Sequence, residues 1–151
     1  MAQTTGALTA VDCKLEYSTN GSDWTDISGF SNKISPGGQN RMSGETYTFD
    51  GDTAIIGAGK REPLEITVAI VYTEGAAEVF EVLRGQFETA GGGPLYIRYS
   101  PDGGDVDDFL YTSDAGEITN FNWPEADAGN ADPKLIEFSL KTPKFTKSVI
   151  T

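Results

Sequence analysis

The chain contains no histidine, a single cysteine and half as many basic as acidic residues. Without imidazole, neither a Ser-His-Asp nor a Cys-His arrangement can be assembled, nor any zinc site that depends on histidine. One cysteine, Cys13, rules out an intrachain disulfide and a thiolate zinc cluster. It lies in DCKLEYS, where alternation puts Cys13, Leu15 and Tyr17 on one face, so it reads as a packed structural thiol. The excess of 23 acids over 11 bases gives a net charge of −12. Tight phosphate binding draws on Lys and Arg to release counterions, and this balance disfavours it. No apolar run reaches the roughly 20 residues of a membrane span. The opening MAQTTGALTAVD has neither a basic region nor an apolar core, so no signal peptide is expected, and the expected setting is a cytoplasm.

Residues 51–61, GDTAIIGAGKR, imitate a phosphate-binding loop. That motif needs a glycine where this chain has Ala54, and Ser or Thr where it has Arg61. It also needs a helix to begin at the lysine. The chain instead continues with Glu62-Pro63 and then LEITVAIVYT, with Leu64, Ile66, Val68, Ile70 and Tyr72 alternating against Glu65, Thr67, Ala69, Val71 and Thr73. That is a strand, and GAGKREP reads as a turn leading into it.

The length of 151 residues favours one domain with a real core. Residues 1–11 are small and polar and read as an arm. Asn20-Gly21 marks a hairpin between DCKLEYS and WTDI. Residues 29–53 carry Pro36, Gly37, Gly38, Gly44 and Gly51 among scattered apolar residues, and form a loop too long for a turn. Met42, Tyr47 and Phe49 are its candidate anchors. Ala76, Val79, Phe80, Leu83 and Phe87 make one helical stripe, with Thr73 as a candidate cap and Gly91-Gly92-Gly93 as the stop. Further strands come after the helix. PLYIRYS has Leu95, Ile97 and Tyr99 on one face. DFLYTS comes next, then EITNFNW with Thr119, Phe121 and Trp123 on one side, and LIEFSLK with Ile136, Phe138 and Leu140 inward. Pro143 interrupts pairing before the tail 143–151. About eight strands and one helix predict a mostly β fold, an antiparallel sandwich or barrel with one flanking helix.

The aspartates of DGGDVDD (102–108) lack the spacing of an EF-hand loop and read as a solvated turn. Glu65 and Glu137 lie on polar rows of strands, as ordinary solvated faces do, and nothing marks either as a catalytic acid. No enzyme, metal or cofactor is expected. Trp24, Trp123, Tyr96 and Tyr111 leave open a carbohydrate-binding sandwich.

In order, the features resemble the major tail tube proteins of long-tailed bacteriophages over roughly residues 12–146. They are the Asn20-Gly21 hairpin with Trp24-Thr25-Asp26-Ile27, the long glycine-rich loop, Asp50-Gly51-Asp52-Thr53 ahead of Gly59-Lys60-Arg61-Glu62-Pro63, LEITVAIVYTE, AAEVFEVLRGQFETA, IRYSPDGGD, GEITNF and LKTPKFT. The resemblance implies a structural virion protein, one tail-tube domain over 1–151, assembled in the host cytoplasm. By the same resemblance, six copies are expected to form a ring, rings to stack into a hollow tube, and sheets of neighbouring subunits to join around a lumen through which DNA passes unbound. Partners are further copies and other tail proteins (tape measure, terminator, distal tail), with no membrane. Loop 29–53, with Met42, Tyr47 and Phe49, is the expected inter-ring element, and the arms 1–11 and 143–151 come next. Glu65 and Glu137 are candidate lumen acids, and Lys60 and Arg61 are candidates to pair with a neighbour's acids. Secretion-system tubes and phage baseplate components share the implied fold and stand as alternatives.

Overall fold

The computed structural model describes residues 2–151; Met1, first residue of the expected arm, lies outside them. Eleven strands and one helix run in the order β1 (Lys14–Ser18), β2 (Thr25–Asp26), β3 (Ser31–Ser35), β4 (Arg41–Thr46), β5 (Ile55–Arg61), β6 (Leu64–Val71), α1 (Val79–Glu88), β7 (Tyr96–Ser100), β8 (Phe109–Ser113), β9 (Glu117–Phe121), β10 (Leu135–Thr142) and β11 (Phe145–Val149). They form a five-stranded sheet ordered β11-β8-β7-β1-β2, a four-stranded sheet ordered β3-β6-β10-β9, and a separate β4-β5 ribbon. All pairs are antiparallel.

The core lies where the alternation places it. On β6, Leu64, Ile66, Val68 and Ile70 are buried, and Ile136, Phe138 and Leu140 of β10 meet them from the same sheet. Leu15, Tyr17, Leu95 and Ile97 close the core from the five-stranded side. Each fully buried side chain of this size stabilises the fold by about 1.5–3 kcal/mol relative to exposure. Helix α1 adds Val79, Phe80 and Leu83. Its stripe continues as Phe80–Phe121–Phe87, with ring centroids 5.5 and 5.6 Å apart. Ala76 falls before the helix and is exposed.

Local chemistry explains the corners. At Asn20-Gly21 the turn is wider than two residues: the Asn20 carbonyl Oδ1 accepts the N–H groups of Ser22 and Asp23, both at 2.8 Å. Gly21 adopts φ 79°, a region open to glycine. After α1, Gly91 and Gly92 take φ 79° and 78°, and Gly93 N–H donates to the Gln86 carbonyl at 2.9 Å, but the helix already ends at Thr89, whose backbone is extended, so the triple glycine shapes the chain beyond the stop rather than making it. Thr73 does not cap its start. The cap position is Glu78, which makes no side-chain capping bond, and the Thr73 hydroxyl is buried without a partner.

Four further expectations change. GAGKR is strand β5, and the turn before β6 is only Glu62-Pro63. Segment 29–53 is not one loop, since it holds β3 and β4. The tail beyond Pro143 is paired as well: β11 runs beside β8 from Phe145↔Ser113 to Val149↔Phe109. Finally, Thr119 does not share the inward face of Phe121. A bulge at Ser139/Leu140 pairs Ile118 with Leu140 and Phe121 with Phe138, so one extra residue breaks the period of two and Ile118 packs against the core.

Candidate assembly surfaces

The β4-β5 ribbon stands away from both sheets, and from Gly38 to Pro63 no residue is buried. Its base is tied down. Glu62 N–H donates to the Asn40 carbonyl at 2.8 Å, and the Gln39 amide donates to the carbonyls of Glu62 at 2.9 Å and Pro143 at 2.8 Å. Register pairs Gly44 with Gly57 and Thr46 with Ile55. One face therefore has a floor of bare backbone between Met42, Thr46 and Ile55, a recess of about 490 Å³. Met42 lies in β4, whereas Tyr47 and Phe49 lie in the tip between the strands, so the three candidate anchors are spread along the ribbon. All three are exposed, Phe49 completely, as are Ile55 and Ile56. Isolated two-stranded hairpins are marginal in water, and this one leaves its apolar side chains uncovered.

Three cations sit near the ribbon's base. Arg41 and Arg61 are directly opposite one another, a like-charge pair that costs stability. Arg41 donates to the Gly59 carbonyl at 2.8 Å. Among the described residues, no ion pair involves Arg41, Lys60 or Arg61.

The second surface is the polar face of the four-stranded sheet. Glu65 and Glu137 share it but are not opposite one another, because Glu65 faces Lys141 and Glu137 faces Ala69. Glu65 Oε1 accepts the Thr119 hydroxyl at 3.2 Å. Glu117 and Lys33 complete the charges on this face, so it carries three acids and two lysines. Edge strands β3 and β9 have no partner on their outer sides among the described residues.

On the five-stranded sheet, Glu16 is buried and accepts Arg98 Nε at 3.2 Å and Nη2 at 3.0 Å. The Arg98 guanidinium lies 4.3 Å from the Trp24 ring centre, and Trp24 meets Tyr96 edge-on at 6.5 Å. Tyr111 packs on Tyr99, and Trp123 on Phe121. The four aromatics considered for sugar binding thus form no common platform, and one ring is already covered by arginine. Alternation along the strand has no means of pairing Arg98 with Glu16, 82 residues away.

The β7–β8 loop holds Asp102, Asp105, Asp107 and Asp108. Asp108 Oδ2 accepts the N–H groups of Gly104 at 3.1 Å and Asp105 at 2.8 Å. No group of three or more His, Cys, Asp or Glu among the described residues is arranged to hold a metal ion. Cys13 is half-buried beside Leu15, Ile34 and Tyr99 in a cleft of about 640 Å³. Burial pushes its thiol pKa up, which lowers its reactivity.

No family profile and no curated protein matches the chain by sequence. The fold does match solved structures. A chain of the sheath–tube complex of an extracellular contractile injection system, PVC, in the extended state aligns with TM-score 0.74 at 14% identity, over 97% of this chain and 94% of that one. A chain from the tail of an empty gene transfer agent particle, with C6 symmetry, aligns with TM-score 0.61 at 13% identity, over 99% and 100%. The SPP1 tail tube aligns with TM-score 0.57 at 14% identity, over 93% and 78%. The mostly β architecture with one helix is therefore a fold found in tail and tube assemblies.

Proposed function

We propose that this protein is a non-catalytic structural subunit of a hollow tail tube in a bacteriophage-like particle, built as stacked six-membered rings. The observation that carries this reading is the exposed β4-β5 ribbon, on a fold shared with tail and tube assemblies. A monomer gains nothing from about two dozen ordered residues without cover, whereas an assembly buries them. Two free edges, β3 and β9, flank the four-stranded sheet. Joining β9 of one copy to β3 of the next is a head-to-tail contact that closes into a ring when its rotation closes, and it removes both edges. Six-fold symmetry describes one assembly with a chain of this fold.

In this reading the polar face with Glu65 and Glu137 lines the lumen. Its three acids against two lysines favour DNA sliding past rather than adhering, at the short range that screening allows, about 8 Å. Met42, Tyr47 and Phe49 make inter-ring contacts, and Lys60 and Arg61 meet a neighbour's acids. Long-tailed phage origin, tape-measure, terminator and distal-tail partners, residence in the virion and assembly in the host cytoplasm belong to the same proposal. The structural likeness to a contractile-injection-system chain keeps a secretion tube or baseplate ring as the second reading.

Negative-stain microscopy of purified protein at rising concentration tests the proposal. Long hollow tubes with six-fold end views are expected. Single rings that never stack favour the baseplate reading, and a protein that stays monomeric at every concentration removes both.

A further inference from the structure

We infer that the cationic base of the β4-β5 ribbon seats on the aspartate-rich β7–β8 loop of a second copy in the adjoining ring. This rests on the stacked-ring reading above and names the two surfaces that meet. The first observation is their position. Strand β11 runs along one edge of the five-stranded sheet. At its start, Pro143 holds the ribbon's base through Gln39 at 2.8 Å. At its far end, Ile150 exchanges backbone bonds with the β7–β8 loop: Asp107 N–H donates to Ile150 O at 2.8 Å, and Ile150 N–H to Asp108 O at 3.0 Å. The five residues of β11 span about 17 Å. The two surfaces therefore lie at opposite ends of β11, an arrangement that suits head-to-tail stacking.

The second observation is charge. Arg41, Lys60 and Arg61 are exposed and unpaired among the described residues, with the two arginines opposed across the ribbon. Within one subunit this arrangement repels itself, and an anionic partner would relieve it. Asp102, Asp105, Asp107 and Asp108 are likewise free of ion pairs among the described residues. The cations nearby are engaged elsewhere: Lys14 lies 3.8 Å from Glu16, and Lys147 lies 3.8 Å from the Phe109 ring centre.

The third is apolar surface on both sides. Leu8, Val106 and Phe109 are exposed at the loop, and a recess of about 220 Å³ opens between Leu8, Phe109 and Tyr111. On the ribbon, Met42, Ile55 and Ile56 are exposed. Screened charge pairs are weak singly, but every subunit of a ring repeats the contact, and linked repeats multiply affinity.

Charge reversal tests this. Lys60→Glu with Arg61→Glu changes each subunit by −4 units, and Asp102→Lys with Asp105→Lys changes it by +4. Arg41 and Asp108 are left alone because both hold their own backbone. Each pair of substitutions alone is expected to abolish pelletable tubes while thermal melting stays that of the wild type. All four in one chain restore the net charge of −12 and are expected to restore tubes. Normal tubes from either pair, or four-fold variants that melt normally yet do not stack, overturn the proposal while leaving the tube reading intact. Wild-type protein that forms no tubes removes the tube reading and this seat with it.

Discussion

Replacing residues 41–61 with a two-residue Asn-Gly turn would remove the ribbon at the point where Glu62 N–H already donates to the Asn40 carbonyl. No buried side chain is lost, since none lies between Gly38 and Pro63. The ribbon's own pairing is marginal. Shortening the connection from about 21 residues to 2 lowers the closure entropy by at most about 2 kcal/mol. The truncated subunit is therefore expected to be as stable as the parent or up to about 2 kcal/mol more so. For a chain of this size that corresponds to a melting temperature unchanged or raised by up to about 8 °C. Circular dichroism measures it, and sedimentation with microscopy measures assembly, which should stop at rings or monomers. A melting temperature lowered by more than about 4 °C would show that the ribbon contributes to the subunit fold. Normal tubes from the truncated protein would show that stacking does not use it.

Reversing both Glu65 and Glu137 to lysine adds four charge units per subunit. The Glu65→Lys change sets two lysines opposite one another, since Lys141 is the partner, and costs up to about 1 kcal/mol. Tubes should still form but retain double-stranded DNA at low salt and release it at high salt; indifference to DNA at low salt takes these residues out of the lumen. Asp26 accepts the Ser28 hydroxyl and then the Ser28 N–H, which hold its pKa below the ordinary carboxylate value. A depressed folded-state pKa contributes stability above the unfolded pKa and loses it as pH falls through the folded one. Asp26→Asn should thus flatten the fall of melting temperature as the pH is lowered through the acid range, and a slope identical to wild type would refute the linkage. Glu16→Ala should cost about 2 kcal/mol, because it strips two charge-assisted bonds from Arg98 in a largely buried setting. A double-mutant cycle with Arg98→Met should show a coupling of at least about 0.5 kcal/mol, and strict additivity would mean that the pair contributes nothing.

What was legible in the sequence was whatever a buried face writes there. β6 and β10 alternate because one side meets the core, and Ile66, Val68, Ile136, Phe138 and Leu140 all sit as the period of two places them. The ribbon strands were not legible for the same reason. β5 is exposed on both faces, so IIGAGKR has no alternation to read, and its glycines look like a turn. β11 was obscured by Pro143 and by an exposure that leaves only Phe145 partly buried. The inward turn of Ile118 depends on a bulge defined by pairing with β10, which no local pattern records. Among the residues proposed for assembly, Met42, Tyr47 and Phe49 stand out in the sequence as apolar residues with no local use. Arg41, Ile55 and Ile56 join them only once the ribbon's register is known.

The four-stranded sheet is irregular at both of its outer pairings and regular at its central one. Register shifts occur between β3 and β6 and between β9 and β10, while β6 and β10 pair without interruption over eight residues. Such insertions bend a strand and increase its local twist. If copies join through β3 and β9, that curvature lies in the pairings next to the seams rather than at the centre of the sheet. The diameter of the channel would then depend less on the bulk of the core than on two single-residue offsets. Removing one of them should leave each subunit folded, yet change the angle at which neighbours meet and with it the number of copies that closes a ring.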